Sequence, residues 1–239
     1  MRFAYVDGHK QEATPGSRGL CPCCGSVTIA KCGPHAIWHW AHQSLRACDP
    51  WWEPETDWHR QWKSHFPAAW QEAVQYDAQT GEKHVADVRT SNGMVIEFQH
   101  SAISFREARS RERFYPRMMW IVDLNRNPTE ARRFRNLRDL LDFPSLGSTL
   151  SLPWPSRSKL FASWSHATVP VLFDLGQEQD LWRLIGFKGR DIELGTEDRF
   201  LFRPVPKKAL IKKNGGRYSP PVSMPEHASV PSTLPERTF

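Results

Sequence analysis

The sequence lacks any long apolar run, and it has no cysteine after residue 48. No stretch approaches the roughly 18 consecutive apolar residues of a membrane-spanning helix, and the mean hydropathy is -0.58. The first residues also lack the apolar centre of a signal peptide, which predicts a cytoplasmic protein. With 39% hydrophobic and 24% charged residues among 239, the chain is too apolar to be wholly disordered. It can form one large domain, or one domain and a small module.

The excess positive charge is concentrated in one part of the chain. The whole protein has a formal net charge of +6. Between Ser104 and Arg138, ten arginines and no lysine are opposed by four acids, so this stretch alone also carries +6. Guanidinium groups bind phosphate oxygens in a bidentate manner, which favours phosphate contacts here. A solvated helix face with internal ion pairs is the alternative interpretation.

All the cysteines lie near the start of the chain: Cys21, Cys23, Cys24, Cys32 and Cys48. An odd number of clustered cysteines in a chain expected to be cytoplasmic argues against a disulfide framework. It favours a metal site instead, with reduced thiols that bind no metal as the alternative.

The candidate zinc ligands are an early Cys-x-x-Cys pair and a later His-x-x-His pair: Cys21, Cys24, His39 and His42. Two thiolates and two imidazoles give the tetrahedral shell that structural zinc prefers. A short strand is expected between the pairs, at residues 26–30, which indicates a small zinc ribbon. Cys23 and Cys48 remain possible substitutes in the ligand set. A closed shell of four protein ligands leaves no open position, so the zinc is expected to be structural.

The segment after Pro50 is expected to form a helix with two stripes of different character. Thr56 or Asp57 can cap it, and Pro67 should kink it or start a second helical segment. The apolar stripe repeats every four residues and faces a core: Trp58, Trp62 and Phe66. The polar stripe has the same spacing: Glu55, His59 and Lys63. Taken alone, such a polar stripe is typical of a solvated helix face.

A β-hairpin is predicted next, with strands at residues 85–90 and 94–99. Ser-Asn-Gly at 91–93 is a strong hairpin-turn signal. Side chains alternate between the faces of a strand, so Glu97 and Gln99 share one face and Asp87 can lie opposite Glu97. Two carboxylates that meet in an apolar sheet repel each other unless a divalent cation lies between them.

Several spaced motifs in one order resemble the CoiA-like family of competence proteins. They cover about residues 20 to 124: CPCC, HWAH, Glu55-x3-His59-x3-Lys63, Ala86-Asp87-Val88, Ile96-Glu97-Phe98-Gln99, Arg111-x3-Tyr115 and WIVD at 120–123. The hairpin with Asp, nine residues and Glu-x-Gln is also similar to the active-site hairpin of the PD-(D/E)XK nuclease superfamily. The resemblance implies an α/β fold, in which an N-terminal zinc-ribbon module precedes a restriction-endonuclease-like mixed-sheet core.

The resemblance also implies a Mg²⁺- or Mn²⁺-dependent DNA nuclease. Asp87 and Glu97 would bind the catalytic ion, and Glu55 would be a third carboxylate beside it. His59 and Lys63 would help to hold the scissile phosphate or would set the protonation of a ligand. Gln99 stands where many of these nucleases have lysine; it can orient a water molecule but cannot act as a base.

The arginine-rich helix would then contact DNA through five residues: Arg106, Arg109, Arg111, Arg113 and Tyr115. A structural role for Arg111 and Tyr115, docking the helix on the sheet, is the alternative. The resemblance connects the chain with DNA recombination, and recombination proteins are possible partners. A DNA-binding factor that does not cleave, built on the same scaffold, is the second function considered, and a protein-interaction module is the third. Whether the DNA is single-stranded, duplex or branched stays open.

The expected domain boundaries follow these motifs. Residues 1–50 form the zinc-ribbon-like module, and residues 51–143 form the nuclease-like core. Residues 144–210 add a β-rich part whose strands are expected to form an extra sheet. The end of the chain, 211–239, is rich in Pro and Ser beyond Lys213 and is expected to be a disordered tail.

Overall fold

The fold contains two sheets, and it is known from a computed structural model that describes residues 1–34, 37–44, 48–140, 149–188 and 198–220. The expected α/β class is confirmed. The smaller sheet is antiparallel, in the order β2-β1-β3-β4-β5. Its strands are β1 (Phe3–Val6), β2 (His9–Glu12), β3 (Arg18–Leu20), β4 (Val27–Lys31) and β5 (His39–His42).

The larger sheet is mixed and has eight strands in the order β10-β13-β12-β11-β9-β8-β7-β6. Strands β8, β9 and β11 are parallel neighbours, and the other pairings are antiparallel. The strands are β6 (Gln71–Tyr76), β7 (Lys83–Arg89), β8 (Val95–Gln99), β9 (Met118–Asp123), β10 (Leu150–Pro153), β11 (Val171–Asp174), β12 (Asp180–Lys188) and β13 (Arg199–Pro206). The expectation of an extra sheet after residue 144 is therefore wrong, because β11 pairs with β9 and continues the same sheet.

Helices cover both faces of the larger sheet. They are α1 (Asp57–Ser64), α2 (Phe105–Phe114), α3 (Pro128–Leu140), α4 (Lys159–Ala162) and α5 (Lys207–Lys213). Helices α1 and α5 pack on one face, where Trp62 and Ile211 join a core with Phe98 and Ile121. Helices α2, α3 and α4 contribute to the core of the other face, around the fully buried Trp120. In the part of the chain described, no helix is long and apolar enough to cross a membrane.

The helix cap of α1 and the turn of the hairpin form as the sequence predicts. The Thr56 side chain accepts a hydrogen bond from the backbone of His59 and caps α1, which satisfies an otherwise free N–H group. A 3-10 turn at Ala68–Trp70 follows Pro67. In the hairpin, Gly93 has a φ of +80°, the left-handed conformation that glycine adopts at least cost. The turn therefore forms between β7 and β8, as expected.

The chain stays packed beyond the boundary at 211 where the disordered tail was expected to begin. Ile211 is buried in α5. The backbone N–H of Arg217 donates to the carbonyl of His65 at 2.7 Å, and Tyr218 stacks on the His65 ring. Residues up to 220 thus support the end of α1, and the remainder of the expected tail lies outside the described residues.

Candidate functional site

Two groups of chemically reactive side chains line one cavity between the two sheets. The cavity has a volume of about 190 Å³, and both the small sheet and the large sheet contribute to its wall. The cysteine and histidine side belongs to the N-terminal module, with His42 and Cys48 in the lining. The carboxylate side belongs to the large sheet and α1, with Asp87 and Glu97 in the lining.

Three thiols and one imidazole form a compact cluster in the N-terminal module: Cys21, Cys24, His42 and Cys48. Their ligand atoms all lie within 4.8 Å of one another. The Sγ atoms of Cys21 and Cys48 are 3.7 Å apart, and Cys24 Sγ lies 3.4 Å from His42 Nε2. A tetrahedral zinc ion with Zn–S bonds of about 2.3 Å requires ligand separations of about 3.8 Å. The cluster therefore has the composition and spacing of a structural zinc site.

The ligand set differs from the Cys2His2 expectation by one residue. The turn after Cys21 and the strand β5 bring Cys24 and His42 together, but His39 lies outside the cluster. The Nδ1 atom of His39 is 2.8 Å from the carbonyl of Ile37. Cys48 completes the set instead, one of the substitutions that the sequence left open. Cys23, the other possible substitute, is buried beside the cluster and binds Cys21 Sγ through its backbone N–H.

The electrostatics of the cluster favour a thiolate at Cys24, whereas burial raises the pKa values of Cys21 and Cys48. Burial alone would raise the pKa of Cys24, but hydrogen bonds with Ser26, Cys21 and His42 lower it to about 6. Thiolate is the form that binds metal. Cys24 therefore supplies a negative ligand at neutral pH.

Asp87 and Glu97 meet where the hairpin strands separate. The paired residues of β7 and β8 are Val88 with Ile96 and Arg89 with Val95. Beyond that point the carboxylates replace the backbone acceptors. The N–H of Asp87 donates to Glu97 Oε1 at 3.2 Å, and the N–H of Phe98 donates to Asp87 Oδ2 at 3.0 Å. The backbone thus fixes both acids side by side.

The two acids disfavour each other's ionisation. Burial and the charge of Asp87 raise the pKa of Glu97 to about 8. Burial also raises the pKa of Asp87, against the lowering effect of Lys63 and His59. The Arg111 guanidinium compensates in part, since its Nη1 lies 3.2 Å from Glu97 Oε2. A pair of this kind holds negative charge most easily when a cation is close.

Lys63 is surrounded by three carboxylates. Its Nζ lies 2.5 Å from Glu55, 3.3 Å from Glu72 and 3.7 Å from Asp87. Burial alone would lower the pKa of Lys63, but the three acids raise it by more than burial lowers it. The side chain is therefore an ammonium. The polar stripe of α1 is consequently a buried network, and the interpretation as a solvated face is wrong for it.

Glu72 is a member of this network that the sequence motifs do not mark. Burial would raise its pKa, but Lys63 and the amino terminus hold the pKa at about 2. Its carboxylate also accepts from the backbone N–H groups of Arg2 and Phe3, at 2.7 and 3.1 Å. Glu72 has a φ of +45°, a strained conformation for a residue with a Cβ atom. It therefore joins the N-terminal module to the carboxylate side of the cavity.

Glu53 is the second residue that the motifs miss. His59 Nε2 is 2.9 Å from Glu53 Oε1 and 3.1 Å from the carbonyl of Phe98. Burial lowers the pKa of His59, but Glu53 and Asp87 raise it above its ordinary value. Burial opposes the ionisation of Glu53, whereas hydrogen bonds with His59 and Ser101 lower its pKa to about 2. The only sequence signal for Glu53 is its place two residues before Glu55.

Gln99 lies next to Glu53, but it does not line the cavity that contains Asp87 and Glu97. Its Nε2 donates to the carbonyl of Ser101 at 3.0 Å and lies 3.4 Å from Glu53. Its buried Oε1 has no hydrogen-bond partner in the part of the chain described. The structure thus separates Gln99 from the acids that the hairpin motif groups with it.

The five candidate DNA contacts on and after α2 divide by exposure. Arg111 is buried, and it binds the carbonyl of Trp51 at 2.8 Å besides Glu97. Tyr115 is also buried and lies edge-on to Trp51. Both therefore dock the helix on the sheet, which is the alternative considered from the sequence.

The other three arginines of α2 are less buried. Arg109 pairs with Glu112 at 2.8 Å. The exposed members are Arg106 and Arg113.

The carboxylate side of the cavity fits a divalent cation by its donor chemistry. Mg²⁺ binds through one or two carboxylates and keeps several waters or phosphate oxygens. Asp87 and Glu97 offer two adjacent carboxylates. Among the described residues the acids do not gather as closely as the Cys3His cluster does, which is the one group of three or more potential ligands within 4.8 Å.

The N-terminal part of the chain matches a known protein family. Residues 9–50 match the family model described as Competence protein CoiA, N-terminal domain. No curated protein and no solved structure matches the chain significantly. The matched range contains the whole Cys3His cluster. Residues 9–50 are thus similar to the N-terminal domain of competence protein CoiA, as the CPCC and HWAH motifs in this range predict.

Proposed function

We propose that this competence-related chain is a Mg²⁺- or Mn²⁺-dependent DNA nuclease of the PD-(D/E)XK type. The observation that carries the proposal is the pair of carboxylates, Asp87 and Glu97, fixed side by side by backbone N–H groups. A site with no catalytic use gains nothing from two adjacent buried acids, because each makes the other harder to ionise.

The residues of the chain would share the hydrolysis of a phosphodiester bond. Asp87 and Glu97 would hold a divalent ion, which supplies Lewis acidity and lowers the pKa of a bound water. Lys63 would stabilise negative charge on the scissile phosphate, a role open to an ammonium that three acids keep charged. Both ring nitrogens of His59 are engaged, Nε2 with Glu53 and Nδ1 with Thr56, so His59 would position Glu53 beside the acids. Glu55 and Glu72 would keep Lys63 in place.

The Cys3His cluster would hold a structural zinc ion. Its four protein ligands leave no open position for a water or a substrate, which is the mark of a structural site. The ion would fix the small sheet, whose residues form one wall of the cavity. The zinc would act on cleavage only through the shape of this wall.

A DNA-binding factor that does not cleave is the second candidate. Gln99 supports it, because this residue replaces the lysine of many related nucleases and does not line the cavity of the two acids. On this view the chain would serve recombination by holding DNA, with recombination proteins as partners.

The test is cleavage of single-stranded, duplex and branched DNA with Mg²⁺ or Mn²⁺, comparing the natural chain with Asp87→Ala. We expect cleavage to fall at least 100-fold in the variant, while its melting temperature and DNA affinity persist. Tight, salt-sensitive DNA binding without cleavage by either protein would reject the nuclease and favour the second candidate.

A further inference from the structure

The acids of the proposed nuclease site lie too deep for a rigid substrate. Only 4% of the Glu97 side chain and 24% of the Asp87 side chain are exposed. The cavity that reaches them holds about 190 Å³, less than the roughly 300 Å³ of a small ligand pocket. Duplex DNA has a persistence length of about 50 nm and resists local bending into such a space. An unpaired strand bends freely at each nucleotide.

The mouth of the cavity carries an unusual aromatic feature. All eleven tryptophans lie in the described residues, and the two most exposed are Trp38 and Trp52, each at 46%. Trp52 lines the cavity and directly precedes Glu53. The Trp38 carbonyl accepts from Arg60, whose Nε pairs with Glu55 at 2.9 Å. Of the two exposed indoles, that of Trp52 thus belongs to the cavity of the acids, whereas the Trp38 Nε1 donates to the carbonyl of Gly33 at 3.3 Å.

The neighbouring Trp51 differs from Trp52 because its ring is packed against other side chains. Trp51 stacks on His84 and lies under the Arg111 guanidinium, so its ring is part of the wall. The Trp52 ring has no ring contact or hydrogen bond within the described residues. An exposed indole beside a phosphate-processing site provides a surface on which an unpaired base can stack, and such stacking tolerates any base.

From the depth of the acids and the position of Trp52, we infer that the substrate is single-stranded DNA, and that Trp52 stacks on a base next to the scissile phosphate. The inference rests on the proposed nuclease site for the identity of that phosphate. The stacking holds the strand at the mouth, while the flexible backbone enters the cavity towards Asp87.

The test measures binding separately from cleavage. Fluorescence anisotropy with a labelled 20-nucleotide strand and the matching duplex, without added Mg²⁺ or Mn²⁺, compares the natural chain with Trp52→Ala and Trp52→Phe. Tyr76→Ala is the matched control, because Tyr76 is an exposed aromatic residue outside the cavity lining. We expect the single strand to bind at least tenfold more tightly than the duplex. Trp52→Ala should weaken single-strand binding about tenfold, with Trp52→Phe and Tyr76→Ala close to the natural chain.

The outcomes separate this inference from the nuclease proposal. Equal affinity for strand and duplex, or equal effects of Trp52→Ala and Tyr76→Ala, would overturn the stacking role. If the binding preference holds but neither DNA is cleaved with Mg²⁺ or Mn²⁺, the nuclease proposal fails and the single-strand site stands. Cleavage of the duplex as fast as the strand would overturn the substrate inference alone.

Discussion

The two sides of the cavity hold charged groups in opposite ways. The Cys3His cluster is compact, and its four ligand atoms lie within 4.8 Å of one another. The carboxylate side is spread out, and the chain supplies its own cations, Lys63 and Arg111, to balance the acids. The first arrangement leaves space for one ion and nothing else. In the second arrangement the positive charges of Lys63 and Arg111 offset the acids, so the acids can stay buried without a bound ion.

The comparison predicts that removing a zinc ligand has the largest effect on stability. Structural zinc contributes about 10–16 kcal/mol to the folding of small zinc domains. We expect Cys24→Ser and His42→Ala to lose zinc and to unfold the N-terminal module. Zinc per chain, measured by elemental mass spectrometry, and thermal unfolding check this.

The matched controls for the zinc prediction are His39→Ala and Cys32→Ser, since both residues lie in the module and outside the cluster. Each should keep one zinc ion per chain. Loss of zinc in His39→Ala, with zinc retained in His42→Ala, would restore His39 as a ligand and contradict the geometry of the cluster.

On the carboxylate side, Lys63→Met should destabilise the protein by about 3–5 kcal/mol in the absence of Mg²⁺, because breaking a buried ion pair leaves uncompensated charge. Glu55, Glu72 and Asp87 would all lose their common partner. Added Mn²⁺ should recover part of the melting temperature, since it can neutralise the same acids. Lys213→Met, at the end of α5, serves as the control. A melting temperature for Lys63→Met equal to that of the control would show that the network contributes no stability.

Glu97 predicts a loss of stability as the pH rises, opposite in sign to the effect expected from Cys24, whose pKa is lowered to about 6. Its pKa is about 8 in the folded chain, against 4.5 for the ordinary carboxyl. Between these values the folded state binds the proton more tightly, so the stability contributed by Glu97 falls as the pH rises through this window. The free energy of unfolding is measured with urea, without added Mg²⁺, from about pH 5 to about pH 8. Over this range we expect the natural chain to lose more stability than the Glu97→Gln variant. Parallel curves would contradict the raised pKa.

The segment after α5 packs against His65 at the end of α1, the helix that carries His59 and Lys63 towards the acids. Removing this segment should lower the stability by less than Lys63→Met does. A chain ending at Lys213 loses the Arg217 hydrogen bond and the stacking of Tyr218 on His65. These contacts contribute about 2 kcal/mol, or a fall in melting temperature of about 4–8 °C. A chain that ends at residue 220 is the control and should melt as the full protein does. Equal melting of both truncations would return the tail boundary to Lys213.

What the sequence predicts well is local. The turn at 91–93 and the Thr56 cap depend on neighbouring residues, so their signals are contained in a few letters. The pairing of Asp87 with Glu97 follows from strand alternation across one short turn. Three of the four cluster residues follow from the spacing of cysteines and histidines.

What the sequence does not predict depends on distant contacts. Glu72 reaches Lys63 only because β6 pairs with β7 at the sheet edge and the backbone of Glu72 takes a left-handed conformation. The sheet extension through β11 depends on a parallel pairing with β9, more than 40 residues earlier in the chain. The burial of Arg111 depends on Glu97 in the neighbouring strand. The sequence of α2 therefore predicts one continuous basic surface, although its arginines divide between the core and the solvent.

The smallest expected change in stability concerns the exposed arginines of α2, and it sharpens the division between core and solvent in that helix. Neither Arg106 nor Arg113 has an ion pair within the described residues, so Arg106→Ala with Arg113→Ala should leave the melting temperature unchanged. If both contact phosphates, the slope of log affinity for single-stranded DNA against log salt should become about 1.4 less steep, since each contact contributes about 0.7. Arg111→Ala should instead lower the melting temperature, because it leaves Glu97 without its cation. An unchanged salt slope in the double variant would place the DNA path away from α2, and the cavity mouth at Trp52 would then guide the strand without this helix.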